Sequence, residues 1–162
     1  MNTVIPDGIT AIGLCAFRGV TGLTSIVIPE SVTVIGENAF AFCYDWAGDL
    51  VIPNSVQTNR PSAFFDCQSL DGTLIIGESV TFIGEWAFRN CYNVTATVSL
   101  ATTPPALGDE FGGMVFENYG TPTLTVPYGC IEAYETMRIT VRYQPLQINI
   151  ILFKKTVLLQ RL

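Results

Sequence analysis

The chain has 162 residues, 49% of them hydrophobic and 14% charged, which is long enough for one domain with a real core. Its net charge is −6 with no histidine, and residues 1–137 hold three bases (Arg18, Arg60, Arg89) against all fourteen acids, leaving −11 there. A nucleic-acid role, which needs a basic stripe for phosphates, is excluded by that balance. Triads and metal sites built on histidine are excluded with it.

In chain order, the first element is the strand "TVIP" ending at Pro6, followed by an Ile-Gly at Gly13 and an Ala-Phe at Phe17. "LTSIVIPESVTVIGENAFAFC", residues 23–43, writes the same succession again. "LVIPNSVQTNRPSAFFDC", residues 50–67, is a third copy, in which Asn59-Arg60 replaces Ile-Gly, and "LIIGESVTFIGEWAFRNC", residues 74–91, is a fourth. The strand ends at Pro6, Pro29, Pro53 and Gly77 give a period of 23 once and 24 thereafter. Such a period predicts that each copy is one coil of a solenoid whose neighbours must stack to bury a common core. The spacing of Leu23, Ile26 and Ile28 sends the last two to one face of a strand. Leu50/Ile52, Leu74/Ile76 and Val98/Leu100 are the corresponding inward pairs in later copies. Proline stops each strand, glycine suits a tight corner, and the phenylalanine fills the core from the opposite side.

These combined marks resemble the BspA-like leucine-rich repeats of exported bacterial surface proteins, over about residues 3–100, four copies and the start of a fifth within residues 1–100. "PTLTVPYGCIEAYET", residues 122–136, is similar to that family's closing unit: a strand, a turn and one short helix. The resemblance implies a right-handed, mainly β leucine-rich-repeat solenoid. A parallel sheet of short strands lies on one face, with short strands or 3₁₀ turns on the other. It also implies an extracellular or cell-surface location and adhesion to host or neighbouring-cell proteins. Apart from the resemblance, glycans are a further class of partner.

Residues 101–121 read as a long loop, so that 101–137 forms a loop and closing unit. Residues 138–162 carry five bases and no acid and lack the repeat register. Two readings stay open for them: a translated frameshift or unrelated junction, or an unusual cap in which "ITVRY" and "INIILF" cover the end of the core. The repeat starts at once, leaving no room for a signal peptide, so any export signal is expected upstream. No apolar run approaches the ~20 residues of a membrane helix, so membrane insertion is not expected. Uncapped solenoid ends expose strand edges and predict self-association through them.

No cofactor, metal site or catalytic residue is expected. "GDEFGG", residues 108–113, does not open a helix after a buried strand and so lacks the context of a phosphate loop. Cys43, Cys67 and Cys91 share one repeat position and should form a column at ~4.8 Å steps, poorly oriented for disulfides and too extended for one zinc. They read as buried free thiols, with Cys15 and Cys130 also unpaired. Asp7, Glu30, Asn54 and Glu78 follow the strand ends; a calcium ladder is one reading, polar turn residues the other.

Function falls on the outward positions of the first strand. Val4, Val27, Val51 and Ile75 form an apolar row ending at Ser99, and Asn2, Ser25, Asp49, Thr73 and Thr97 run beside it. Val4, Val27, Val51, Ile75, Ser25, Asp49 and Thr73 are the candidate partner-binding residues of a non-catalytic recognition module. Alternatively the row serves only cross-strand packing, and the chain is a structural spacer presenting another domain.

Overall fold

In a computed structural model the chain winds as a parallel-strand solenoid of about five turns with one short helix. The structure describes residues 2–108, 115–117 and 123–134, together with the backbone of 150–152. Each coil contributes one strand to each of two faces. On the first face lie β1 (Asn2–Val4), β3 (Ser25–Val27), β5 (Leu50–Ile52), β7 (Thr73–Ile76), β9 (Ala96–Ser99) and β11 (Thr123–Val126). On the second lie β2 (Ala11–Ile12), β4 (Val34–Ile35), β6 (Thr58–Asn59), β8 (Phe82–Ile83) and β10 (Ala106–Leu107). All pair in parallel. The second face is one continuous five-stranded sheet, whereas the first divides into β1–β3 and a sheet starting at β5. Of residues 138–162, β12 (Ile150–Leu152) pairs in parallel with β11, and the remainder lies outside the described residues.

The core is a set of columns running along the solenoid. Phe17, Phe40, Phe64, Phe88 and Phe116 stack with centroids 5.1, 5.2, 5.5 and 5.5 Å apart and ring planes within 11° of parallel. Each step is worth about 0.5–1.5 kcal/mol beyond area burial. Leu23, Trp46, Leu70 and Val94 form a second buried column, with Trp46 edge-on to Phe40 and Phe64. On the second face the register aligns Ile12, Ile35, Asn59, Ile83 and Leu107.

A third ladder runs along the phenylalanine edge, and it depends on left-handed backbone. Cys15, Asn38, Ser62 and Trp86 lie two residues before the core phenylalanine, and Gly19, Phe42, Asp66 and Asn90 lie two after it. All have φ between 53° and 65°. Between these positions every second N–H points to the next coil, while Ala39 and Ala41 N–H turn back to Gly36 O and Asn38 O. Thus Asn38, Phe40 and Phe42 donate to Pro61, Ala63 and Phe65 of the next coil. Gly36 and Gly84 have a different role: a Cβ at Gly36 would lie 2.6 Å from Ile12 O and one at Gly84 would meet Pro61 N, so close contact between coils requires glycine at these two places, whereas Gly13 has open space.

One expectation is corrected. The inward pair of β9 is Thr97/Ser99, which are 5% and 3% exposed, and Leu100 is exposed; the Val98/Leu100 register does not form. Leu74 pairs with Thr97 because the coil between them is 23 residues long. The polar pair is tolerated because Ser99 Oγ lies 2.7 Å from the Tyr134 hydroxyl, which donates to Ala101 O at 2.9 Å. In residues 101–121, read from the sequence as a loop, β10 extends the second sheet. Val115-Phe116 occupies the Ala-Phe position there, with Phe88 N donating to Val115 O.

Cys43, Cys67 and Cys91 are buried and free, and each Sγ donates to the core phenylalanine carbonyl of the preceding coil at 3.1, 3.1 and 3.3 Å. The neighbouring Cys43 thiol and burial push Cys67 well above the ordinary thiol value, and burial pushes Cys91 up to about 12. Below the ordinary value of 9.0 these thiols keep their protons in both folded and unfolded chains. Above it the unfolded chain releases the Cys67 and Cys91 protons that the folded chain retains, so these two thiols make stability fall as pH rises, whereas Cys43, lowered by its hydrogen bond with the Cys67 thiol, acts in the opposite sense. Denaturant titrations at about pH 8 and about pH 10 should show this loss, and equal midpoints would contradict it. A thiol reagent should modify exposed Cys15 readily and half-buried Cys130 more slowly, and reach the three column thiols only on unfolding.

Candidate recognition surface

The first face is built so that β-branched side chains alternate between core and solvent. Leu50 and Ile52 point inward at 2% and 0% exposure, which leaves Val51 between them 49% exposed. Val4 is 73% and Val27 69% exposed. Val4 pairs with Val27, and Val51 pairs with Ile75, so the four predicted apolar residues fall into two laddered pairs separated at the β3–β5 boundary. Ile75 is half-buried because it has strand neighbours on both sides.

The row does not end at Ser99, which is buried; Ile75 pairs with Val98, and Val98 with Thr125. Val98 and Thr125 are therefore members that the sequence pattern missed. The only signal for them is the one-residue shortening of the coil before β9. In the polar flank Asn2 pairs with Ser25, and Thr73 pairs with Ala96, which takes the place expected for Thr97. Ser25 and Thr73 are half-buried at the surface. Asp49 is exposed, but its Oδ1 accepts the Thr73 N–H at 2.7 Å, so its carboxylate binds coil to coil.

The turn acids have a similar job. Glu30 Oε2 accepts the Ser55 N–H at 3.2 Å, and Asn54 Oδ1 accepts the Glu78 N–H at 3.0 Å. An acceptor is needed there, charged or not, which is why asparagine serves at position 54. Asp45 and Asp71 reach back likewise to the N–H groups of Gly22 and Gly48. Among the described residues no group of three or more His, Cys, Asp or Glu side chains is placed to hold a metal ion. No helix among them is long and apolar enough to cross a membrane.

What this geometry offers is a surface: backbone fixed by inter-coil ladders, a narrow apolar row, and polar edges already tied into the fold. A coil repeat with this surface defines a leucine-rich-repeat solenoid. The family model of the BspA type leucine rich repeat region matches residues 1–131 in six copies, and the chain belongs to that family. The match runs through residues 101–121, in keeping with the coil positions of β10 and Phe116. No curated protein is similar enough to the chain to count as a match. Repeats of this family serve protein interaction, are generally non-catalytic and are typically surface-associated.

Proposed function

We propose that the chain is a non-catalytic adhesion module of an exported bacterial surface protein, binding host or neighbouring-cell proteins through the first face of the solenoid. The observation that carries this reading is the contrast within single strands. In β5, Leu50 and Ile52 are buried while Val51 is half-exposed, and in the neighbouring β1–β3 sheet Val4 and Val27 stand 73% and 69% exposed. Aliphatic side chains presented on a rigid sheet lose apolar hydration on docking without ordering any backbone. Val4, Val27, Val51 and Ile75 form the contact row, continued by Val98. Ser25, Asp49 and Thr73 form its polar rim, where hydrogen bonds select among partners.

The experiment is titration of the folded chain against immobilised extracellular-matrix and plasma proteins and cell-surface ectodomains. Saturable binding to at least one is expected. Absence of saturable binding throughout would instead favour a spacer whose row only packs across strands.

A further inference from the structure

A second surface, on the phenylalanine edge, has different chemistry. Two residues beyond each core phenylalanine the backbone is left-handed, and the coils fill that position with Gly19, Phe42, Asp66 and Asn90. Glycine adopts this conformation freely, and Asp and Asn tolerate it, whereas a bulky residue there carries a cost of about 1–2 kcal/mol. Gly19 shows that the coil does not need an aromatic at this place. The Phe42 ring is also not part of the buried core. It is held half-exposed, with the Arg18 guanidinium 5.0 Å from its centroid, Phe65 edge-on at 5.2 Å and Tyr44 at 6.1 Å.

Beside these rings lies a polar group drawn from three successive coils. Asp66, 9% exposed, accepts hydrogen bonds from the Tyr44 hydroxyl at 3.0 Å, Gln68 Nε2 at 3.0 Å and Asn90 Nδ2 at 3.1 Å. The carboxylate pushes the Tyr44 hydroxyl pKa up, which keeps the phenol a donor to it. Beside their bonds to Asp66, the Gln68 amide oxygen and the Tyr44 hydroxyl oxygen can accept, and the second Gln68 amide hydrogen can donate.

We propose that Phe42, Tyr44 and Phe65, with Asp66, Gln68 and Asn90, form a binding site for a neutral saccharide. The Tyr44 ring, 49% exposed and negative at its face, suits the polarised C–H face of a pyranose, while Arg18 and Phe65 flank the Phe42 ring beside it. The remaining oxygen acceptors suit hydroxyl groups, which arrive as donors. A phosphorylated, sulfated or uronic sugar is disfavoured by the Asp66 carboxylate and by the net charge of −11 over residues 1–137. A cation is disfavoured because Asp66 is already shared by three donors and Arg18 occupies the Phe42 ring. Tyr92, 47% exposed, repeats the position of Tyr44 two coils on, about 9–10 Å away by strand spacing, which lengthens the platform for an oligosaccharide. The site is independent of the sheet-face reading and stands or falls separately.

The test is affinity electrophoresis of the folded chain in native gels containing hydroxyethylcellulose, xylan, mannan, laminarin or starch. Phe42→Gly, Tyr44→Ala and the sheet-face variant V27E/V51E/I75E run alongside. Phe42→Gly places in the second coil the residue that the first coil already uses, so it should fold, as circular dichroism can confirm. The expected result is retardation of the wild type by at least one polysaccharide, at least about tenfold weaker in F42G and Y44A and unchanged in the sheet variant. Migration unaffected by all five polysaccharides would overturn the proposal, and so would equal retardation of wild type and folded F42G and Y44A. Binding of a proline-rich peptide, lost in those two variants while every polysaccharide fails, would reassign the surface to protein recognition and also overturn it.

Discussion

Replacing Phe64 with alanine should lower the unfolding free energy by about 3–5 kcal/mol, a large part of the 5–15 kcal/mol typical of a domain. Phe64 is fully buried at the centre of a five-ring stack, with Phe40 on one side, Phe88 on the other and Trp46 against its edge. Truncation forfeits the transfer energy of a benzyl group, both stacking contacts and the packing of the cavity left behind. Because a solenoid is held by nearest-neighbour interfaces, damage in the middle coil uncouples the coils on either side. Denaturant titration with circular dichroism measures the loss. A change below about 1 kcal/mol would mean that the stack is not a principal source of cohesion.

The opposite sign is expected at Asn59. Its side chain is fully buried between Ile35 and Ile83 in the second-face register, and neither Nδ2 nor Oδ1 has a hydrogen-bond partner. An unpaired amide in an apolar site costs about 1–3 kcal/mol on mutational scales. Isoleucine occupies the same position one coil before and one coil after, so the space accommodates it. Asn59→Ile should therefore raise the unfolding free energy by about 1–3 kcal/mol, visible as a higher denaturation midpoint with unchanged slope. An unaltered or lowered midpoint would show that the amide is satisfied in solution or that the larger side chain strains the column.

The period, the phenylalanine column and the cysteine column were legible in the sequence because one residue type recurs at one spacing. The inward pairs Leu50/Ile52 and Leu74/Ile76 were legible for the same reason. The register of β9 was not. "TATVSL" alternates acceptably either way, and the winning register is stabilised by Tyr134, which meets Ser99 35 residues along the chain. Phe116 was hidden because it lies eight positions after Gly108, whereas Phe88 lies four after Gly84. The left-handed positions were hidden because Cys15, Asn38, Phe42, Ser62, Asp66, Trp86 and Asn90 have no side-chain chemistry in common. That last point concealed the aromatic edge, whose members sit at different places in successive coils. The apolar row was found because alternation alone marks it, but its far end followed the mistaken register to Ser99 instead of Val98.

The assignment of recognition to the first face is tested most directly by comparing dissociation constants for one captured protein ligand across three chains: wild type, V27E/V51E/I75E and F42G/Y44A. The replaced valines and isoleucine point away from the core, so the sheet variant should keep the wild-type circular dichroism. Three carboxylates placed in an apolar contact should weaken binding by at least about 100-fold, because a partner must then desolvate charges it cannot pair. The aromatic-edge variant should bind that protein as the wild type does. Equal affinity of the folded sheet variant and the wild type would contradict the assignment and place protein recognition elsewhere on the solenoid.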